Sequence, residues 1–311
     1  MVVDLSIIIV NYNGGHELLS CLNSIKMAHA ELVYEVIVVD NGSTDGSLER
    51  AKSDYPEFRF LSAGTNLGFA AACNLGLAGA QGRHAMLLNP DTEVLQGTLT
   101  CLVGTLDANP AWGIVGPRMV DQEGRIYSAA RRFPTPWRLF CEDTRLTYLF
   151  PRSKLFASYI YGDRDIRAVD DVDQIEGSAL VISGRAREVV GDLDPRFFLF
   201  FEEVDWCRRV RQAGFEIRVV QNAEVRHMRS TTMRRYFLEA RLARAKSAMM
   251  YFQKYYGAKG LKQLRRWMRI GLWIREWEMR MALLLGTGER ARIRAEAARC
   301  ERALYHRGLQ A

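Results

Sequence analysis

The sequence predicts an α/β protein: a mostly parallel sheet flanked by helices, continued by a basic amphipathic helical extension. Three observations predict it. Short β-branched runs alternate with stretches of helical spacing through the first ninety residues. Three of those runs end in polar clusters, at Asn11, Asp40 and Asp91. Positive charge gathers at the far end: residues 1–230 carry 24 Lys and Arg against 30 Asp and Glu, and residues 231–311 carry 19 against 6.

Each element follows from its own pattern. Leu5 to Val10 is a β-branched strand closed by the turn cluster Asn11-Tyr12-Asn13-Gly14-Gly15, and His16 to Ala28 has helical apolar spacing. Val36 to Val39 is a second strand. It runs into Asp40-Asn41-Gly42-Ser43-Thr44-Asp45-Gly46-Ser47, a loop whose end can cap a helix through Lys52. Phe58 to Ser62 reads as a strand, Gly68 to Ala80 as an Ala-rich helix, and His84 to Leu88 as a fourth strand before Asn89-Pro90-Asp91. Trp112 to Met119 is strand-like. Arg125 to Phe150, rich in aromatics, Arg and Pro, is left open as a lid or acceptor loop. Ile175 to Ser183, Phe197 to Arg211 and the strand Ile217 to Gln221 resume the clear signal. Arg234 to Gln253 reads as a helix broken at Tyr255-Tyr256-Gly257, and a second runs from Leu261 to Leu285. The expected division is a catalytic domain over 1–232 and a helical extension over 233–311.

Composition narrows the function classes. Hydrophobic content of 48% and charged content of 25% are those of a globular protein. No apolar run spans a bilayer, and Asp4 interrupts the N-terminus against a secretory signal. Six scattered cysteines without a C-x-x-C pair suit reduced thiols and a cytoplasmic setting. The net charge of +7 raises a nucleic-acid partner, but the positive charge is confined to the tail and no nucleic-acid motif is present. A dinucleotide oxidoreductase would need G-x-G-x-x-G after the first strand, where Asn11-Tyr12-Asn13-Gly14-Gly15 stands.

In parallel sheets ligands bind at the carboxyl ends of strands, which is where Asn11, Asp40 and Asp91 fall. Asp91 has two readings: holder of a hard divalent cation that bridges a diphosphate, or cap of the next helix. Phe198-Leu199-Phe200-Phe201-Glu202-Glu203-Val204-Asp205-Trp206 sets three carboxylates after an aromatic wall. That setting raises a carboxyl pKa and suits a general base, while the alternative is an acidic first turn of a solvated helix. His227 is a candidate ligand for a Mn²⁺-type ion or an ordinary packing residue.

Taken in order, these strings resemble family 2 glycosyltransferases of the GT-A fold, especially the bacterial rhamnosyltransferase-like branch. The match runs through Ser6 to Gly14, Val38 to Ser47, Asn66-Leu67-Gly68-Phe69-Ala70, Leu88 to Asp91, Glu176-Gly177-Ser178-Ala179, Phe200 to Asp205, and His227. The resemblance implies a nucleotide-sugar-binding fold and inverting transfer from a dTDP- or UDP-linked sugar to a saccharide or polyprenyl-diphosphate-linked acceptor. It implies that Asp40 reads the pyrimidine, that Asn11 and Tyr12 flank it, and that Asn66 lines the pocket. Asp91 matches the last Asp of the family's Asp-x-Asp motif. Asn89 replaces the first, near ribose or metal-bound water. His227 matches a late ligand of Mg²⁺ or Mn²⁺. Glu203 matches the base, though Glu stands where the family has Asp, so Glu202 and Asp205 remain alternatives and a catalytically inactive homologue stays open.

In the tail, Leu264, Trp267, Met268, Trp273, Ile274, Trp277, Met281, Leu284 and Leu285 recur near helical spacing among arginines. Such a helix suits the anionic inner-membrane surface, or it packs on the catalytic domain or a dimer partner.

Overall fold

The computed structural model describes residues 2–28, 31–165, 170–228, 236–284 and 289–308. In chain order the elements begin with β1 (Leu5–Asn11), α1 (Gly15–Met27), β2 (Tyr34–Asp40), α2 (Ser47–Asp54), β3 (Arg59–Ser62), α3 (Phe69–Leu77) and β4 (His84–Leu88). There follow β5 (Thr92–Val94), α4 (Thr98–Ala108), β6 (Trp112–Val120), β7 (Ile126–Tyr127), β8 (Ala130–Arg131), α5 (Pro136–Asp143) and α6 (Leu146–Leu149). The chain closes with β9 (Gln174–Ile175), β10 (Ala179–Ser183), α7 (Gly184–Val190), α8 (Glu202–Gln212), β11 (Glu216–His227), α9 (Phe237–Leu284) and α10 (Glu289–Arg307).

Two compact units emerge. The first comprises residues 1–131, 166–198 and 202–232, and the second comprises 132–165, 199–201 and 233–311. The expected boundary at 232/233 falls outside the described residues. The helical unit takes in residues 132–165, and with them most of the aromatic segment that the sequence leaves open as a lid or acceptor loop.

The first unit is built on one sheet in the order β3-β2-β1-β4-β10-β6-β11-β5, with β7 against β6. The predicted parallel order holds across β3, β2, β1 and β4. Then β10 runs antiparallel to both β4 and β6, and β11 is parallel to β6 while β5 is antiparallel to β11. Burial explains the β-branched runs: every residue of β1 and β4 is buried, because helices cover both faces. Leu18, Leu22 and Ile25 of α1 enter the same core as Ile7, Ile9 and Val38.

Only Asn89, Pro90 and Asp91 join β4 to β5, although β10, β6 and β11 lie between those strands in the sheet. Four strand spacings would span about 19 Å if flat. Four Cα steps reach at most about 14 Å. This part of the sheet must therefore curl, which returns β5 to the carboxyl end of β4.

The second unit is helical. Gly257 (φ 61°, ψ −164°) breaks α9 into two segments, as the sequence predicts. Trp137 and Phe140 of α5 pack on Trp267 of α9 at centroid distances of 5.2 and 5.0 Å. Gly271 permits that approach, since a Cβ there would sit 3.1 Å from the Phe140 ring. The unit's inner carboxylates are paired: Arg241 bridges the buried Asp143 (2.7 Å) and Glu301 (2.5 Å), and Arg244 meets the half-buried Glu142 (2.5 Å).

Candidate active site

The first cluster forms where β1 and β2 end in register, Asn11 opposite Asp40. Asn11 Nδ2 lies 3.0 Å from Asp40 Oδ1, 3.0 Å from Ser43 Oγ and 2.9 Å from Ser47 Oγ. Its Oδ1 accepts from the Gly14 amide at 3.2 Å. Asp40 Oδ2 accepts from the Ser43 backbone at 3.2 Å, so the Asn41–Ser47 loop is wound around this carboxylate. Asn41 ties a further strand end to it, donating to Asn66 Oδ1 (3.0 Å) and accepting from the Leu67 amide (2.8 Å). Gly42 is required between them: φ is +85°, and a Cβ would lie 3.0 Å from the Asn66 nitrogen. Tyr12 is half-buried beside Asn11, and Asn66 is exposed.

The second cluster is the Asp91–His227 pair. Asp91 does not cap a helix. It enters β5, and α4 begins later, at Thr98 behind Gly97. In the β5–β11 ladder Thr92 faces His227, which brings His227 Nε2 within 3.3 Å of Asp91 Oδ1. The other ring nitrogen, Nδ1, is 2.7 Å from the Tyr127 hydroxyl of β7. A His whose distal nitrogen is fixed by a hydrogen bond presents its remaining nitrogen in one orientation, the arrangement common behind metal-ligating imidazoles. One carboxylate and one imidazole suit Mg²⁺ or Mn²⁺ completed by phosphate and water oxygens. Among the described residues no group of three or more His, Cys, Asp or Glu side chains is placed to hold a metal ion. A cation here would thus depend on oxygens brought by a substrate. Asn89 is half-buried, and its amide donates to the Ser178 carbonyl (2.9 Å). Ser178 Oγ is buried without a hydrogen-bond partner, a polar group that a ligand would satisfy.

The third cluster opens α8. Phe200 and Phe201 hold positive φ values of 66° and 68°, a conformation bulky side chains avoid and that concentrates at functional sites. Three carboxylates follow, and they diverge. Asp205 is fully buried, its Oδ2 accepting from Arg209 at 2.8 Å. Glu202 is buried towards Cys73, whose thiol is held above its ordinary value by burial and then by Glu202. Burial, reinforced by Glu203, pushes the Glu202 carboxyl well above the usual range. Glu203 is half-buried and lies against Gly177, where an added Cβ would sit 3.5 Å from Glu203 Cβ. The helix is held by Trp206, which donates to the Gly191 carbonyl at 2.8 Å, and by Arg209, which donates to the Asp192 carbonyl at 2.8 Å.

Strand directions put the first two clusters on one edge, and Gly177, just before β10, brings Glu203 of the third beside it. The parallel β1, β2 and β4 end there, and the reversed β10 begins there, directly after Gly177 and Ser178. β11 reaches the same edge with His227, and β5 leaves it after Asp91. Gly14 links the first two clusters, a Cβ there falling 2.5 Å from Asn11 Oδ1 and 3.6 Å from Pro90.

The glycosyl transferase family 2 profile matches residues 6–164, about half of the chain. The chain belongs to glycosyl transferase family 2. As a glycosyltransferase it is similar to an N-acetylglucosaminyl-diphospho-decaprenol L-rhamnosyltransferase of Mycobacterium tuberculosis (strain ATCC 25618 / H37Rv). The two are 32% identical over 234 residues, 72% of this chain and 75% of that one. It also matches the low-salt glycan biosynthesis hexosyltransferase Agl10 of Haloferax volcanii, 28% identical over 231 residues, 73% of this chain and 68% of that one. Among solved structures, GalNAc-T7 with UDP, GalNAc and Mn²⁺ shares the fold at TM-score 0.57 and 14% identity. That match covers 79% of this glycosyltransferase and 48% of the solved chain.

Several residues of this edge escaped sequence reasoning. Tyr127 lies in a two-residue strand with no periodic signal, Gly177 matters through its backbone position, and Asn41, seen only inside a motif string, acts through both ends of its side-chain amide. The Ser43 and Ser47 hydroxyls were visible only as loop composition.

Proposed function

We propose that this glycosyltransferase moves a sugar, rhamnose by likeness to its mycobacterial relative, from a dTDP- or UDP-linked donor to a hydroxyl of a polyprenyl-diphosphate-linked saccharide. Transfer inverts the anomeric centre. The observation that carries the reading is the Asp91–His227 pair, 3.3 Å apart, on the sheet edge shared by Asp40 and Glu203.

Asp40, held by Asn11 and the Ser43 amide, accepts the pyrimidine ring N–H, with Tyr12 and Asn66 beside the base and Asn89 near the ribose. Asp91 and His227 would hold Mg²⁺ or Mn²⁺, which offsets the charge of the departing diphosphate. Glu203 takes the proton from the acceptor hydroxyl as its oxygen attacks the anomeric carbon from the face opposite the nucleotide. The transition state is oxocarbenium-like, and the base contributes about 10²–10⁴-fold in rate. Burial and the neighbouring Glu203 raise the Glu202 carboxyl pKa, which disfavours a second charge beside the base.

No helix among the described residues is long and apolar enough to cross a membrane. Work on a lipid-linked acceptor then implies a peripheral position on the cytoplasmic face of the inner membrane, reached through the basic C-terminal helices. The test supplies dTDP-rhamnose and UDP-sugars with Mn²⁺, Mg²⁺ or EDTA and an N-acetylglucosaminyl-diphospho-lipid acceptor, reading the product anomer by NMR. Turnover with none of these donors would sink the proposal, and retention of configuration would remove the single-displacement step.

A further inference from the structure

The second half of α9 has two opposite faces. Gly260, Leu264, Met268, Gly271, Leu272 and Glu276 are buried and pack within the helical unit. On the other side Lys259, Lys262, Arg266, Ile270, Trp273, Trp277, Met281 and Leu284 follow one another at steps of three and four, one unbroken stripe. All of them are exposed. Ile270 is 42%, Trp273 and Trp277 each 56%, Met281 40% and Leu284 79% accessible. The stripe changes character along its length: cations, with Arg269 at their flank, occupy its first turns and large apolar groups its last.

Charge bookkeeping separates these cations from the rest of the tail. Arg241, Arg244 and Arg275 face Asp143, Glu142 and Glu301 inside the unit. Arg265 donates to the Tyr305 carbonyl at 2.7 Å, and Arg280 and Arg302 pair with Glu276. Much of the tail's positive charge is therefore structural. The cations of the stripe point outward beside two tryptophans.

We propose that this stripe is a docking face for an anionic lipid surface, with Lys259, Lys262, Arg266 and Arg269 on the headgroups and Trp273 and Trp277 in the interfacial layer. Charge complementarity favours that occupant over a second copy of the chain, whose own stripe carries the same positive sign. Indole rings take the boundary between headgroup and acyl chain, and aliphatic neighbours add buried area below it. The proposal rests on the reading of a lipid-linked acceptor.

The test is flotation of the full chain with vesicles of phosphatidylcholine, alone or with about 30% phosphatidylglycerol, at low and high salt. Wild type floats with the anionic vesicles, and salt releases it. Lys262→Gln with Arg266→Gln weakens that binding roughly thirtyfold. Trp273→Ser with Trp277→Ser weakens it at least as much as one of those cations does. Both variants keep wild-type circular dichroism and wild-type turnover of a water-soluble acceptor analogue. Unaltered flotation in both variants overturns the proposal. So does a wild-type dimer in sedimentation that the Trp variant dissolves while no vesicle is bound, since a second copy then covers the face. Intact flotation without any sugar transfer defeats the enzymatic reading and leaves the docking face standing.

Discussion

Replacing Asn11 by Asp probes the proposed nucleotide end of the site with little change of shape. The amide nitrogen sits 3.0 Å from Asp40 Oδ1, so Asn11→Asp sets two carboxylates at that distance with both residues buried. At an effective dielectric of about 20, two unit charges 3.0 Å apart repel by about 5 kcal/mol. Holding one of them protonated at pH 8 costs a similar amount, about 1.4 kcal/mol for each pH unit above an ordinary Asp value. Asn11→Ala provides the comparison, losing the hydrogen bonds without adding charge, for about 1–3 kcal/mol. Urea denaturation at pH 8 and pH 5 reads the difference. Asn11→Asp is expected to be the less stable of the two at pH 8 and to recover towards pH 5, where one shared proton removes the repulsion. Calorimetric titration with UDP and dTDP at pH 8 is expected to show more than a tenfold loss of affinity. An Asn11→Asp protein with the wild-type denaturation midpoint and wild-type nucleotide affinity at pH 8 would refute the reasoning.

Other perturbations separate the remaining groups. Glu203→Gln is expected to lower turnover by about 10²–10⁴-fold with nucleotide affinity intact, and equal turnover would move the base elsewhere. Glu202→Gln tests the buried acid. Its carboxyl pKa is raised, so folding binds a proton there, and the stability this gives is complete below the ordinary value of 4.5 and declines as pH rises through the folded value. The Gln variant should match wild type near pH 4 and exceed it at pH 8 in thermal melts; a parallel pair of stability curves would contradict this. Tyr127→Phe removes the hydroxyl 2.7 Å from His227 Nδ1 and is expected to weaken Mn²⁺-dependent UDP binding by about tenfold or more. The same titration without metal serves as its control.

The legible parts of the sequence were those where one local pattern had one structural meaning. β4 runs from His84 to Leu88 as its apolar pattern predicts, and the Asp40–Ser47 string forms a loop and then a helix. Strand direction is a different matter. The apolar run of β10 reads alike whichever way it points, so its reversal between β4 and β6 carried no signal. β11 outran its prediction at Gln221 because a register irregularity between Val220 and Glu224 interrupts the alternation before the strand continues to His227. The aromatic middle segment looked like a loop because its partners lie over a hundred residues away, Trp137 and Phe140 packing on Trp267. At the candidate site the motif strings are legible, but the differing surroundings of Glu202, Glu203 and Asp205 are not. They depend on what packs against each face of α8.

The three residues between β4 and β5 do two jobs at once. They are the strap that keeps one half of the sheet bent, and Asp91 is the last of them. On the proposed reading, a donor held at Asp91 would bear directly on the segment that closes this bend. A residue added to it is expected to loosen that bend and part Asp91 from His227, and with them the proposed grip on a diphosphate.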